Sequence, residues 1–145
     1  MWDVASRWAA LRRAGSNRSG AAALEFAIVG PAFVLVLLGL TAYGGYFWLS
    51  HMVQEVTNDA ARAAIAGLTS SERTQLAQSQ VTSELQTYTY LQPNLTAVTT
   101  SGNSQILTVT VAYDATNTPF WALSPLVPMP SQTITRSATI KLGGF

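Results

Sequence analysis

The spacing of apolar and polar positions changes character twice along the chain. A run over residues 26–49, opening at Phe26, contains no charged side chain and is dominated by Ala, Ile, Val, Leu, Phe and Gly. Coiled as an α-helix it spans roughly 36 Å, enough to cross a hydrocarbon core of about 30 Å with some tilt. The helical pattern continues past it, because HMVQEVTNDAARAAIAG has neither Pro nor Gly before Gly67 and places Met52, Val56 and Ala60 at successive i+4 positions. One long helix is therefore expected over 21–66, membrane-spanning over about 26–49, with Gly67 as its C-cap. Thr69 with Glu72 three residues on is a capping box that starts a second helix. That helix carries Ala77, Val81, Leu85 and Tyr88 on one face, and Pro93 closes it.

The period then falls to two. Leu107, Val109, Val111 and Tyr113 alternate with Thr108, Thr110 and Ala112, the signature of a half-buried strand. A strand over 95–100 precedes it across SGNS, a hairpin signal. A third, over 132–142, turns Ile134, Ala138, Ile140 and Leu142 one way and Thr133, Thr135, Ser137, Thr139 and Lys141 the other; Arg136 interrupts its apolar face as an edge or partner contact. The expected fold class is α+β: a long N-terminal transmembrane helix extended into a small lobe of one further helix and a three-stranded antiparallel sheet. Such a lobe is near the lower size limit for independent stability.

TPFWALSPLVPMP, residues 118–130, joins the last two strands and is unusually apolar for a connection. Phe120, Trp121, Leu126 and Met129 either cover the open end of a small core or form a docking surface for a neighbouring subunit or the outer membrane face.

Charge supplies an orientation. Residues 1–20 carry Arg7, Arg12, Arg13 and Arg18 against Asp3, whereas the remainder carries six acids against four bases. Arginines flank the apolar run on its N-terminal side and none follows until Arg62, so the positive-inside rule places the N-terminus in the cytoplasm and the C-terminal lobe outside. Trp2, Ala5, Trp8 and Leu11 fall at helical spacing in this leader, which reads either as an amphipathic helix on anionic lipid or as a disordered basic segment. GSNRSG, residues 15–20, is expected to break any helix ahead of the apolar run. The formal net charge of +1 offers no reason to invoke nucleic acid, and 10% charged residues, against a usual quarter or so, agrees with a segment that avoids water.

No catalytic or metal-binding constellation emerges. Cysteine is absent, and the single histidine, His51, just beyond the apolar run, reads as a polar anchor at an interface. Glu55, Asp59, Glu72, Glu84 and Asp114 form no triad spacing; Ser137 with Lys141 is a weak pairing. Gly39, Gly44 and Gly45 lie inside the apolar run, where small residues permit close helix packing, and not before a helix as a phosphate loop requires. No cofactor, metal, small-molecule substrate or enzymatic activity is expected.

One residue does not fit a simple anchor. Glu25 places a carboxylate at the start of the run, where burial in lipid costs on the order of 2.5 to 3.5 kcal/mol even on the gentler insertion scales. Either it lies shallow enough to reach head groups and nearby arginines, or it has a dedicated partner. Arg18, Ser19 and Gly20, followed by AAALEF and the apolar run, resemble a type IV prepilin N-terminus. Within that class, GAAALEFAIVGPAF with NDAARAAIAG and, more loosely, TITRSATIKL resembles the TadE-like minor pilins, or pseudopilins, of tight-adherence (Tad/Flp) pilus systems.

The resemblance implies a type IV pilin-like layout in three parts: a basic leader over 1–20, a long helix over 21–67 and an exported lobe over 68–145. It implies cleavage by a membrane prepilin peptidase between Gly20 and Ala21, and pairing of Glu25 with the new α-amine of a neighbouring subunit. Phe26 stands where Tyr is also common. Pro31, which lacks an N–H and would clash with the Ala27 carbonyl, is expected to kink or locally melt the helix. The implied partners are the major pilin, other minor pilins, the peptidase, the inner-membrane assembly platform and membrane lipid. The implied role is assembly of an adhesive pilus. Two other readings stand beside it: a bitopic membrane-anchored binding protein with an exported partner- or ligand-binding lobe, and a secreted protein cleaved after Ala42-Tyr43-Gly44.

Overall fold

The computed structural model describes residues 18–143, with side chains from Gly20 onward. The amphipathic spacing of Trp2 to Leu11 lies outside the described residues. Two helices and three strands follow in order: α1 (Arg18–Ala64), α2 (Ser70–Thr87), β1 (Thr96–Gly102), β2 (Ile106–Asp114) and β3 (Thr133–Lys141). The layout is α+β, with a long apolar N-terminal helix, one further helix and an antiparallel meander in the order β1-β2-β3. By compactness the chain divides after Leu38, so that residues 39 onward form one unit and the preceding part of α1 another.

Two helix ends differ from expectation. α1 already includes Arg18, Ser19 and Gly20, so the latter half of GSNRSG is helical and does not break it. At the other end Gly67 does not adopt the left-handed conformation of a glycine cap, since among the described residues only Gly102 and Gly143 have positive φ. The helix instead tightens through Ile65 N–H to Arg62 O at 3.2 Å, Ala66 N–H to Ala63 O at 3.3 Å and Gly67 N–H to Ala64 O at 3.2 Å. Gly67 is required by proximity: a Cβ there would lie 2.7 Å from the Arg73 backbone nitrogen. Arg73 Nε also donates to the Gly67 carbonyl at 2.9 Å, which ties the start of α2 to the end of α1.

The capping box forms as read. Glu72 N–H donates to Thr69 Oγ1 at 3.2 Å, while Glu72 Oε2 accepts from Leu68 N–H at 2.9 Å and Thr69 N–H at 3.1 Å. These backbone donors hold the Glu72 carboxyl below the usual carboxylate range. Ala77, Val81 and Leu85 are the buried stripe of α2.

In the sheet, Val98, Val111 and Arg136 are register partners, as are Thr99, Thr110 and Ser137, so Arg136 interrupts the otherwise largely apolar inner face, as its spacing in the sequence implied. Leu107, Val109, Val111, Tyr113 and Ile134 are buried on the inner face, against Leu49, Val53, Val56, Ala60, Ala61 and Ala64 of α1 and the α2 stripe. The outer face is hydroxylated, with Thr108 bonded to Thr139 at 2.9 Å and Thr110 to Ser137 at 2.8 Å. The β1–β2 turn uses Gly102 at φ 149°, where a Cβ would strike the Ile106 carbonyl oxygen at 2.0 Å. Asn103 Oδ1 closes it by accepting from Gln105 N–H at 2.8 Å and Ile106 N–H at 2.9 Å.

Candidate functional site

The residues singled out near the start of α1 lie on bare helix. Every described side chain over 20–29 is exposed, and so are Leu24, Phe26, Ile28, Val29 and Phe33 despite their apolar character. A helix apolar around its whole circumference is not stable against water and requires a core, a bundle or a bilayer. Glu25 stands on this surface, and no described side chain pairs with it; the one salt bridge among the described residues joins Arg62 to Asp59 at 3.2 Å. A pairing of Glu25 with the arginines of the leader falls outside the described side chains. Gly20 and Ala21 lie near the start of α1, and Ala21 stands four positions, about one turn, before Glu25. The helix continues through Pro31, whose missing N–H leaves the Ala27 carbonyl without its i+4 donor.

The second half of the apolar run behaves differently. Ala42 and Leu49 are fully buried and Ser50 nearly so, although residues 42–49 belong to the stretch expected to span the membrane. The connection between β2 and β3 lies against this part of α1. Tyr43 donates its hydroxyl hydrogen to the Pro128 carbonyl at 2.7 Å, and Phe120 rests on Gly45 so closely that a Cβ at that glycine would lie 2.6 Å from Phe120 Cδ1. Gly39 and Gly44 have nothing within 4 Å of such a Cβ. Of the three glycines, Gly45 is thus the one whose lack of a side chain is used within the lobe.

The connection is organised as a short 3-10 turn, Pro119–Leu123, with Trp121 buried. Val127 is buried as well, and Phe120 and Met129 pack on the core. Of the four apolar residues singled out in the connection, Phe120, Trp121 and Met129 therefore pack on the core. Leu126 does not: it is 60% exposed.

Periodicity held an overlooked sign of this arrangement. Ala42, Tyr46, Leu49, Val53, Val56 and Ala60 repeat at alternating steps of four and three, a stripe that starts inside the apolar run and leads into the core face of the lobe. The uniform hydrophobicity of the run hides that stripe, because every other face is apolar too.

The remaining polar candidates do not converge on a catalytic centre. His51 is exposed and lines a shallow groove with Phe47, Ser50, Gln54 and Arg136. Glu84 of α2 approaches Asp59 and Glu55 of α1; partial burial, then the Asp59 charge, pushes its carboxyl above the usual range. Asp114 is held below it by the Thr116 hydroxyl and backbone N–H, a local turn contact at the end of β2. No group of three or more His, Cys, Asp or Glu among the described residues could hold a metal ion.

No curated protein and no solved structure matches the chain. A family match does exist, to TadE-like proteins, and it covers residues 20–62, from the first exposed turn of α1 nearly to its end. It takes in Gly20, Ala21, Glu25, Phe26 and Pro31, and leaves α2 and the sheet outside. The family points to Tad pilus association and to a structural rather than catalytic role, with pilus-related partners in general. The one helix among the described residues that is long and apolar enough to cross a membrane accords with a single-pass membrane anchor. Over most of its long N-terminal helix, the chain is similar to TadE-like proteins.

Proposed function

We propose that the chain is a minor pilin or pseudopilin needed for assembly of a Tad/Flp-type adhesive pilus, anchored in the cytoplasmic membrane with its N-terminus inside and its lobe outside. One observation carries the reading: the exposed apolar N-terminal part of α1, with a lone carboxylate near its start, lies inside the TadE-like match. Burial of one face of residues 42–49 within the lobe shifts the proposed membrane span toward the N-terminus, to about 21–41. Those residues rise roughly 30 Å, the thickness of one hydrocarbon core.

In this reading prepilin peptidase cleaves after Gly20 and releases Ala21 with a cationic α-amine. Glycine lowers the cost of unwinding the first helical turn to expose the scissile bond. Ala21 and Glu25 stand about 6 Å apart along the axis, so a neighbouring helix displaced by that amount brings amine and carboxylate level. The pair offsets the desolvation of both charges, whereas mispairing leaves each uncompensated. Glu25 acts as a register device, with Phe26 packing beside it, while Pro31 supplies a kink as the helix leaves lipid for a bundle. The partners are the major pilin and other minor pilins, the peptidase and the assembly platform.

Mass spectrometry of the protein from cells with and without the peptidase tests processing. A mature N-terminus at Ala21 is expected, dependent on the peptidase; an intact leader in both backgrounds refutes it and favours the membrane-anchored binding protein. Glu25→Ala is expected to insert normally and to lose piliation, and unchanged piliation refutes the register role.

A further inference from the structure

The connection between β2 and β3 has properties that core cover does not require. From residue 115 to residue 135 the chain carries no charge. Pro125, Leu126, Pro128 and Pro130 are exposed along it. It is tied to α1 at Tyr43 and Gly45, immediately beyond the proposed span. Beside it, Gly45, Trp48, Tyr90, Leu91, Phe120 and Leu123 line an open, almost wholly apolar groove of about 390 Å³. Trp48 and Tyr90 are 49% and 73% exposed at its margin, the two side-chain types that favour the membrane–water boundary.

We propose that residues 119–130, with Trp48 and Tyr90, form a lipid-facing collar seated in the outer interface of the bilayer that α1 crosses. Leu126 enters the leaflet, and the groove accepts the upper part of a phospholipid acyl chain. This rests on the membrane reading of α1. The choice of lipid follows from continuity: residues 43 and 45 lie within about 6 Å of the end of a 21–41 span, inside the interfacial layer and not above it. A charge-free segment fixed at that depth can shed water without burying an unpaired charge, and its prolines do not offer N–H groups that lipid would leave unsatisfied.

The chain has no cysteine, so single spin labels can be placed at Leu126→Cys, Leu35→Cys and Ser104→Cys in the full chain. Leu35 lies in the proposed span and Ser104 in the β1–β2 turn. Labelled protein, one copy per nanodisc of phosphatidylethanolamine and phosphatidylglycerol, is probed with oxygen, which partitions into lipid, and a nickel chelate, which does not. The expected result is loss of nickel accessibility at 126 relative to 104, with oxygen accessibility approaching that at 35. Nickel accessibility at 126 equal to that at 104, with 35 protected, overturns the collar and leaves the anchor standing. Shielding of 126 from both reagents indicates protein contact and also overturns it. An accessible 35 overturns the membrane reading and the collar together.

Discussion

Gly44 and Gly45 are adjacent in sequence, both helical and both in an apolar stretch, yet they differ sharply in surroundings. A Cβ at Gly45 would lie 2.6, 2.8 and 3.0 Å from Cδ1, Cγ and Cβ of Phe120, whereas one at Gly44 meets nothing within 4 Å. Because Phe120 Cβ is among the close atoms, rotating the ring alone does not relieve the clash. The short turn Pro119–Leu123 must move, and with it Trp121. Gly44→Ala is expected to stabilise by about 0.5–1 kcal/mol through helix propensity. Gly45→Ala gains the same term and loses about 1–3 kcal/mol to overpacking. The difference between the variants cancels propensity and isolates the steric cost, so Gly45→Ala should be about 1–3 kcal/mol less stable than Gly44→Ala. Urea unfolding of the full chain in detergent, followed by near-ultraviolet circular dichroism, reads this difference. Equal stability of the two variants would mean that the connection does not rest on the helix, and would remove the attachment on which the collar depends.

Glu84→Gln is expected to stabilise the lobe at neutral pH by about 0.5 kcal/mol, a figure discounted for the partial exposure of the site. The folded-state carboxyl is raised above its unfolded value, so its stabilising protonated form is fully present below the unfolded pKa and lost as pH rises through the folded one. The advantage of Gln should accordingly appear only above that window in a pH series of unfolding curves, and a pH-independent difference counts against a carboxyl raised by burial and by the Asp59 charge. Thr69→Ala should cost about 1 kcal/mol through loss of the N-cap. Glu72→Gln acts with the opposite pH sign, because a lowered folded pKa gives stability present above the unfolded value and lost as pH falls through the folded one. Acid unfolding of the two Glu→Gln variants side by side distinguishes these signs.

The sequence by itself determined the elements and the chemistry at the start of α1. Spacing alone identified the capping box at Thr69 and Glu72, the alternation of Leu107 to Tyr113, the turn at Gly102 and Asn103, and the lone carboxylate Glu25, because each is a local pattern whose physical cause lies within a few residues. The family match over 20–62 agrees with the resemblance read from GAAALEF. The tertiary structure alone decided which neighbours the small residues have. Gly67 looked like a left-handed cap and is instead a point of close approach to Arg73; Gly45 looked like a contact between membrane helices and instead carries Phe120. The apolar run looked uniform, yet from Ala42 onward one face belongs to the lobe. Hydrophobicity records that a side chain avoids water. It does not record whether lipid, a neighbouring helix or a loop 80 residues further on excludes the water, and that distinction arises only when the chain is folded.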